Sequence, residues 1–320
     1  MHLNSRLSFT PSAVLFALRL VRSLRLMPYA LLVSLILLCS LATPALRAAA
    51  QTSQASTAVY PNPQQLVREV VANSVRLRDK DQPHWSYREV VRKGGRLETH
   101  EVCQTSAGTL DRIIAIDNQP LSAEQQRRED ARLQALLNNP GEMRRERQKQ
   151  RDDAARQYRM FATFPDAFRY QYAGTEGRLV KLNFEPNPEF VPDSRQEEVF
   201  HHLEGMMWID PAQKQLARID GRLTSEVRFA GGLLGHLDKG GVFSVKFKQL
   251  DSGQWLMSAL EVNMSGRALL FKTISVQEEN DFDDYRRLPD SLTLQQGAEL
   301  LEKMASSPKQ TAAAIAKPHE

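Results

Sequence analysis

Residues 199–223 read VFHHLEGMMWIDPAQKQLARIDGRL, and the way this segment divides decides the fold. Val199, His201, Leu203, Gly205, Met207 and Ile209 share one parity; Phe200, His202, Glu204, Met206 and Trp208 share the other. That is the period of a strand, whose successive side chains point to opposite faces. Asp210-Pro211-Ala212-Gln213-Lys214 follows as a turn, because proline presets φ and an aspartate side chain bonds the backbone two residues on. The chain is therefore expected to return antiparallel from Gln215. Apolar residues occupy both parities of the first strand, so both of its faces are covered at least in part, with Trp208 among the buried residues.

Downstream the pattern repeats. Residues 225–230 continue as strand, and residues 242–250, 255–264 and 268–276 read as three more, joined by turns at Asp251-Ser252-Gly253 and Ser265-Gly266-Arg267. Between them, GGLLGHLDKGG at 231–241 carries five glycines and reads as a loop. Its leucines, Leu233 and Leu234 among them, suit either a mobile lid that meets something apolar or a plug folded back on the sheet edge. An acidic stretch, 278–284, leads through Tyr285 and Pro289 to a short helix opened by Thr293 and Gln296.

Upstream, Asn62-Pro63-Gln64-Gln65 reads as a helix start, with Asn62 as N-cap and Gln65 reaching back. An apolar stripe through Leu66, Val70 and Leu77 places that helix on a sheet. Strands follow at 85–92, 96–104 and 110–116, the first two joined by a hairpin at Lys93-Gly94-Gly95. Ser122 with Gln125, then Asn139-Pro140-Gly141-Glu142, mark two helix starts, so residues 122–164 form a charged helical insertion with a corner at 138–140. The second helix carries Ala154, Ala155, Tyr158, Phe161 and Ala162 at helical spacing in its C-terminal half, which should dock on the sheet. Its N-terminal half holds Arg144, Arg145, Arg147, Lys149 and Arg151: a solvated face, or a basic arm contacting the anionic headgroups of a membrane surface. Pro165 ends it, and strands at 168–172 and 179–184 lead into the central hairpin.

The chain has 320 residues, 42% hydrophobic and 25% charged, which is globular composition. Its formal charge of +4 is misleading, because residues 1–50 hold Arg6, Arg19, Arg22, Arg25 and Arg47 and no acid. Without them 42 basic residues become 37, against 38 acidic. That balance gives no support for a nucleic-acid partner. The first fifty residues read as a secretory leader: arginines precede the apolar run 27–42, and Ala48-Ala49-Ala50 offers a small-residue cleavage site. Cleavage is expected after Ala50, with a retained membrane anchor as the alternative. Residues 51–61 then form a linker, 62–305 a single domain, and 306–320 a polar, Ala-rich disordered tail. Cys39 leaves with the leader, so Cys103 stands alone and the fold depends on its core rather than on disulfides.

No reactive constellation is visible. His201 and His202, as strand neighbours, point to opposite faces and cannot share an ion. The other histidines are scattered without metal-ligand spacing, no Gly-rich phosphate loop runs from strand to helix, and no serine sits in a nucleophile elbow. These residues assign no catalytic group, metal or cofactor. The feature with functional content is an apolar surplus at alternate strand positions: Phe168, Tyr170 and Tyr172; Met206 and Trp208; Trp255 and Met257. Packing against helices accounts for it, and so does a concave sheet whose interior holds an apolar ligand.

The order of leader, short helix, three strands, helical segment and long meander, with G-x-x-W-I-D-P at 205–211, resembles the LolA/LolB-like superfamily of periplasmic lipoprotein carriers, which includes sigma-factor regulators of the RseB and MucB type. Gln254-Trp255-Leu256, and Phe282-Asp283-Asp284-Tyr285-Arg286 at the end of the meander, resemble uncharacterised outer-membrane lipoprotein-sorting-like proteins. The resemblance covers about residues 62–288. It implies an α+β fold, a curved antiparallel sheet forming an unclosed barrel with helices packed on its concave face. It also implies a non-enzymatic periplasmic protein that binds lipid or acylated protein in an apolar hollow lined by the residues just named, with Leu233 and Leu234 at its mouth. Rival readings are an envelope-stress adaptor that binds a partner protein, and a hydrolase on a similar sheet. The charged insertion, 122–164, departs from the pattern.

Overall fold

The computed structural model describes residues 62–78, 83–232, 235–268 and 272–305. The leader, the linker, Leu233, Leu234 and the C-terminal tail lie outside the described residues. Helix α1 (Pro63–Arg78) precedes β1 (His84–Lys93), β2 (Arg96–Thr105), β3 (Gly108–Ile116) and the short β4 (Gln119–Pro120). Helices α2 (Ala123–Leu137), α3 (Pro140–Ala162) and the single turn α4 (Phe164–Ala167) lead to β5 (Phe168–Glu176) and β6 (Leu179–Pro186). A 3-10 helix at Glu197–His202 opens the central hairpin, β7 (Leu203–Asp210) and β8 (Gln215–Leu223). Then come β9 (Val227–Phe229), β10 (Gly235–Leu237), β11 (Val242–Gln249), β12 (Trp255–Ala268), β13 (Lys272–Leu288) and α5 (Leu294–Ala305).

The strands form one antiparallel sheet in the order β4-β3-β2-β1-β13-β12-β11-β8-β7-β6-β5, with β10 pairing β12 and β9. Its two ends, β4 and β5, do not meet, so the curved sheet stays unclosed and the fold is α+β. The concave face packs a continuous apolar core. Leu66, Val67, Val70 and Val71 of α1 meet Phe168, Leu182, Met207, Ile209, Leu260 and Val276 there, together with Met160 and Phe161 from the end of α3. On the opposite face, Cys103 and Leu110 pack against Ala298 and Leu301 of α5 and Met143 of α3. The described helices therefore serve both faces, and α3 passes from the outer cluster to the inner one.

The central turn forms as its residues dictate: Asp210 Oδ1 accepts from the backbone N–H groups of Ala212 (3.1 Å) and Gln213 (3.0 Å), and Lys214 takes φ +54°. Ser122 and Gln125 make the expected capping box, and Thr293 and Gln296 cap α5 in the same way. Asn62 caps α1 by accepting from Gln64 N at 2.9 Å, but the Gln65 side chain turns to Glu69 instead of reaching back.

Four expectations need correction. Residues 199–202 belong to a 3-10 helix, Glu197–His202, and are not the start of a strand; Val199 and Phe200 are both buried there. There His202 Nδ1 pairs with Ser225 Oγ at 2.7 Å, while the His201 ring packs beside Phe190. Gly266 is no turn: β12 runs through it to Ala268, and a Cβ there would lie 2.1 Å from the His236 carbonyl of β10. The glycine-rich segment is not all loop, since β10 lies inside it and buries Leu237 in the main core. Finally, the acidic stretch 278–284 is the middle of β13. Its charges are tolerated in a central strand because β1 brings cations opposite them: Lys93 to Glu278 (2.6 Å), Arg92 to Glu279 (3.2 Å) and Arg88 to Asp284 (2.9 Å).

The charged insertion has a structural task. β3 pairs β4 only at Ala115 and Ile116, which leaves backbone groups further down its outer edge without a strand. Glu129 of α2 accepts from Ile113 N at 3.0 Å, and Arg132 donates to the Asp111 carbonyl at 2.6 Å. Two helix side chains thus stand in for the missing strand.

Candidate functional site

The residues with an expected site role divide between two faces. Phe168, Tyr170 and Met257 lie in the concave core, with Phe168 1% exposed. Tyr170 donates its hydroxyl to the Phe164 carbonyl at 2.8 Å, and burial pushes its phenol far above the usual range, so it acts as an anchored ring. Trp208 and Trp255 form a second cluster with Ala217, flanked by Met206, on the outer face. Tyr172 is exposed in the middle of β5, and Leu233 and Leu234 lie outside the described residues. The described residues among them do not share one cluster. Parity explains the split on β7, where Met206 and Trp208 alternate with Met207 and Ile209 and an apolar run on both faces supplies two clusters; it does not account for Trp255 and Met257, which share a parity and join different clusters.

The concave face is the larger apolar surface, and α1 is the element that covers it. The helix is fastened at its rim by polar contacts: Arg68 to Asp166 at 2.7 Å, Lys214 to Glu69 at 2.6 Å, and Asn73 Nδ2 to the Lys214 carbonyl at 3.0 Å. Gln64 adds donation to the carbonyls of Pro165 and Phe168. The hydrogen bond from Lys214 holds the Glu69 carboxyl below its usual range. Arg68 and Asp166 are half exposed or more, so this pair contributes little to stability. Underneath, Phe164, Phe168, Phe184 and Phe200 stack edge to face at centroid separations of 5.0–5.3 Å.

The outer face of β5, β6, β7, β8, β11 and β12 holds a cleft of about 710 Å³. Gly205 and Gly221 face each other across β7 and β8, with Phe184 and Phe243 over them on the inner side. Asp220 anchors the cleft floor, accepting from Arg218 Nε (2.9 Å) and Ser244 Oγ (2.7 Å), while Arg222 binds Glu204 at 2.8 Å. Arg218 also lies 4.5 Å from the Trp208 ring centroid, and the indole N–H donates to Glu176 at 2.9 Å. The lining includes cations and carboxylates in equal measure, with Met206 and Val242 between them.

Several titratable groups among the described residues are committed to structure. His100 is buried on β2 with Nδ1 3.3 Å from Asp111 and Nε2 3.2 Å from Glu98. Burial opposes its charge, but the hydrogen bonds to the two carboxylates outweigh burial and raise it to about 9. Both ring nitrogens are thus engaged by carboxylates, which favours the charged imidazolium. Cys103 is fully buried beside α5 and its thiol is pushed up to about 12 by burial, as befits a small hydrophobe. Arg88 donates to Glu101 at 2.6 Å with both side chains buried. One side-chain donor atom each of Glu226, His236 and Asp238 lies within 4.8 Å of the other two, a grouping the scattered histidines hide. The signal was His236-x-Asp238, which on a strand shares one face. No helix among the described residues is long and apolar enough to cross a membrane.

No protein-family model matches the chain, and no curated protein matches it. The solved structures include one similar chain, the crystal structure of a DUF1329 family protein from Desulfovibrio piger ATCC 29098. It is 12% identical, with 72% of this chain and 96% of that chain covered, at a TM-score of 0.25.

Proposed function

We propose that this chain is a non-enzymatic binding protein of the periplasm that accommodates an acyl chain, free or carried by a lipidated protein, on the concave face of its open sheet. The observation that carries this reading is the relation between α1 and that face. A short amphipathic helix covers a wide apolar surface, and its rim is held by exposed ion pairs and side-chain contacts to backbone carbonyls. Partial withdrawal of α1 exposes aromatic and aliphatic side chains that an acyl chain covers equally well, at about 0.8 kcal/mol per buried methylene. The exposed Arg144, Arg145, Lys149 and Arg151 of α3 supply the contact with anionic headgroups. The commitment of His100 and Cys103 to structure favours a binder over a hydrolase.

Native mass spectrometry of the protein purified from its own envelope, with displacement of a fluorescent fatty acid as a second readout, tests the reading. A lipid adduct and saturable displacement are expected. A bare mass together with no probe binding refutes it. The outer cleft supports a second reading, an adaptor for a partner protein, because its opposed charges suit a polar surface better than an acyl chain. Arg222→Glu would then abolish capture of that partner and leave probe binding unchanged.

A further inference from the structure

We propose that Glu226, His236 and Asp238 form a binding site for a divalent transition-metal ion of the Zn²⁺ type. The three residues flank the β9–β10 hairpin: Glu226 precedes β9, His236 lies in β10 and Asp238 follows it. One ligand atom from each lies within 4.8 Å of the others, and His236 Nε2 is 3.3 Å from Asp238 Oδ1. Two donors bound tetrahedrally to zinc at about 2.1 Å are themselves about 3.4 Å apart, so the imidazole and carboxylate already hold metal-ligand spacing.

Three further features shape the site. First, the pairing of Leu237 with Val227 brings Asp238 opposite Glu226 at the next position, so two carboxylates gather beside the His236 imidazole on one face of the hairpin, with Arg228 paired to Glu226. Second, each carboxylate has one oxygen held by a neighbour. Ser265 Oγ donates to Asp238 Oδ2 at 2.7 Å while Oδ1 faces the imidazole, and Arg228 donates to Oε1 of Glu226. Outer hydrogen bonds that leave one oxygen free are how ligating carboxylates are oriented. Third, the backbone is fixed: Asp238 N donates to the Ser265 carbonyl at 2.9 Å, and Gly266 alone lets β12 approach the His236 carbonyl.

One nitrogen and two oxygens suit Zn²⁺ and its first-row neighbours and disfavour Mg²⁺ or Ca²⁺, which take all-oxygen shells. Three protein ligands leave a fourth position for water. The bound ion adds a tie between the start of β9 and the end of β10, which already pair as strands. Arg228 competes for Glu226, and its removal should tighten binding.

The test is isothermal titration of ZnCl₂ into the metal-stripped full chain at pH 7.5, with circular dichroism to verify folding. One saturable site is expected. His236→Ala and Asp238→Asn should each weaken it by about tenfold or more, Ser265→Ala by about tenfold, and Arg228→Ala should strengthen it. These side chains are partly exposed, so the variants should fold. Absence of saturable heat up to about 1 mM zinc, a range that reaches even weak sites, overturns the proposal. So does affinity that stays unchanged in both His236→Ala and Asp238→Asn, which places any bound zinc elsewhere. The outcome is independent of acyl binding on the concave face.

Discussion

Gly205→Ala is a one-carbon change with a sign that the structure sets against propensity. Mid-strand glycine is ordinarily about 0.5–1 kcal/mol worse than alanine, so the substitution should stabilise a generic strand. Here the added Cβ would lie 1.9 Å from the Asp220 carbonyl oxygen and 2.7 Å from the Phe184 ring. The nearer obstacle is backbone of the adjacent strand, so β7 and β8 must part by roughly an ångström and the ring must leave its seat. Overpacking of this kind costs about 1–3 kcal/mol. The upper end, about 3 kcal/mol, is expected because the backbone moves. Gly141→Ala serves as the opposite case: its nearest atom is Asn139 Oδ1 at 3.5 Å, an ordinary contact, and the residue is helical. That variant should gain up to about 0.5 kcal/mol. Urea denaturation followed by tryptophan fluorescence reads both. A Gly205→Ala midpoint at or above that of the parent would refute the close approach of β7 and β8 and the account of the cleft floor.

Other predictions follow from buried groups. With His100 raised from 6.5 to about 9, its stabilisation is complete below about pH 6.5 and is lost as pH rises through 9; at about 1.4 kcal/mol per unit it amounts to roughly 3 kcal/mol. His100→Gln should therefore flatten stability between pH 6 and 9.5 in urea titrations, and an unchanged slope would remove the two carboxylate contacts from consideration. Trp208→Ala deletes the ring under Arg218 and should cost about 3–5 kcal/mol; an unaltered denaturation midpoint would mean the outer cluster does not hold the hairpin. Arg88→Ala strands Glu101 in the sheet and should cost about 3–5 kcal/mol at neutral pH. Because burial raises the Glu101 carboxyl, that loss should shrink on acidification as the group protonates, and a loss constant from pH 7 to 4 would contradict it.

What the sequence disclosed was local. The Asp210 turn, the Ser122 and Thr293 caps and the corner before Pro140 each depend on residues within a few positions of one another, and all formed. What it hid depends on partners far along the chain. The stretch 278–284 looks like an acidic connection until Arg88, Arg92 and Lys93 arrive from nearly two hundred residues away to pair it as strand. Gly266 reads as a turn until β10 claims the space a Cβ would need. Alternation shows that β7 is apolar on both faces but not which cluster each parity joins, so Trp208 and Trp255 were grouped with Phe168 although they lie on the other side of the sheet. Glu226 could be joined to His236 and Asp238 only after β9 and β10 were paired.

An open sheet has two ends, and these two are finished differently. At β3 the spare hydrogen-bonding groups are consumed by Glu129 and Arg132, so that edge offers a newcomer strand little to bind. At β5 the register breaks between Tyr172 and Thr175, Gly174 takes φ +102°, and the outer residues are mostly exposed and polar. One edge is sealed by a helix and the other is merely bent. Loss of the 122–164 segment would therefore unmask the outer edge of β3, and the resulting chains would be prone to pair through it. The charged insertion thus has a plain use: it covers the edge through which one such sheet could pair with another.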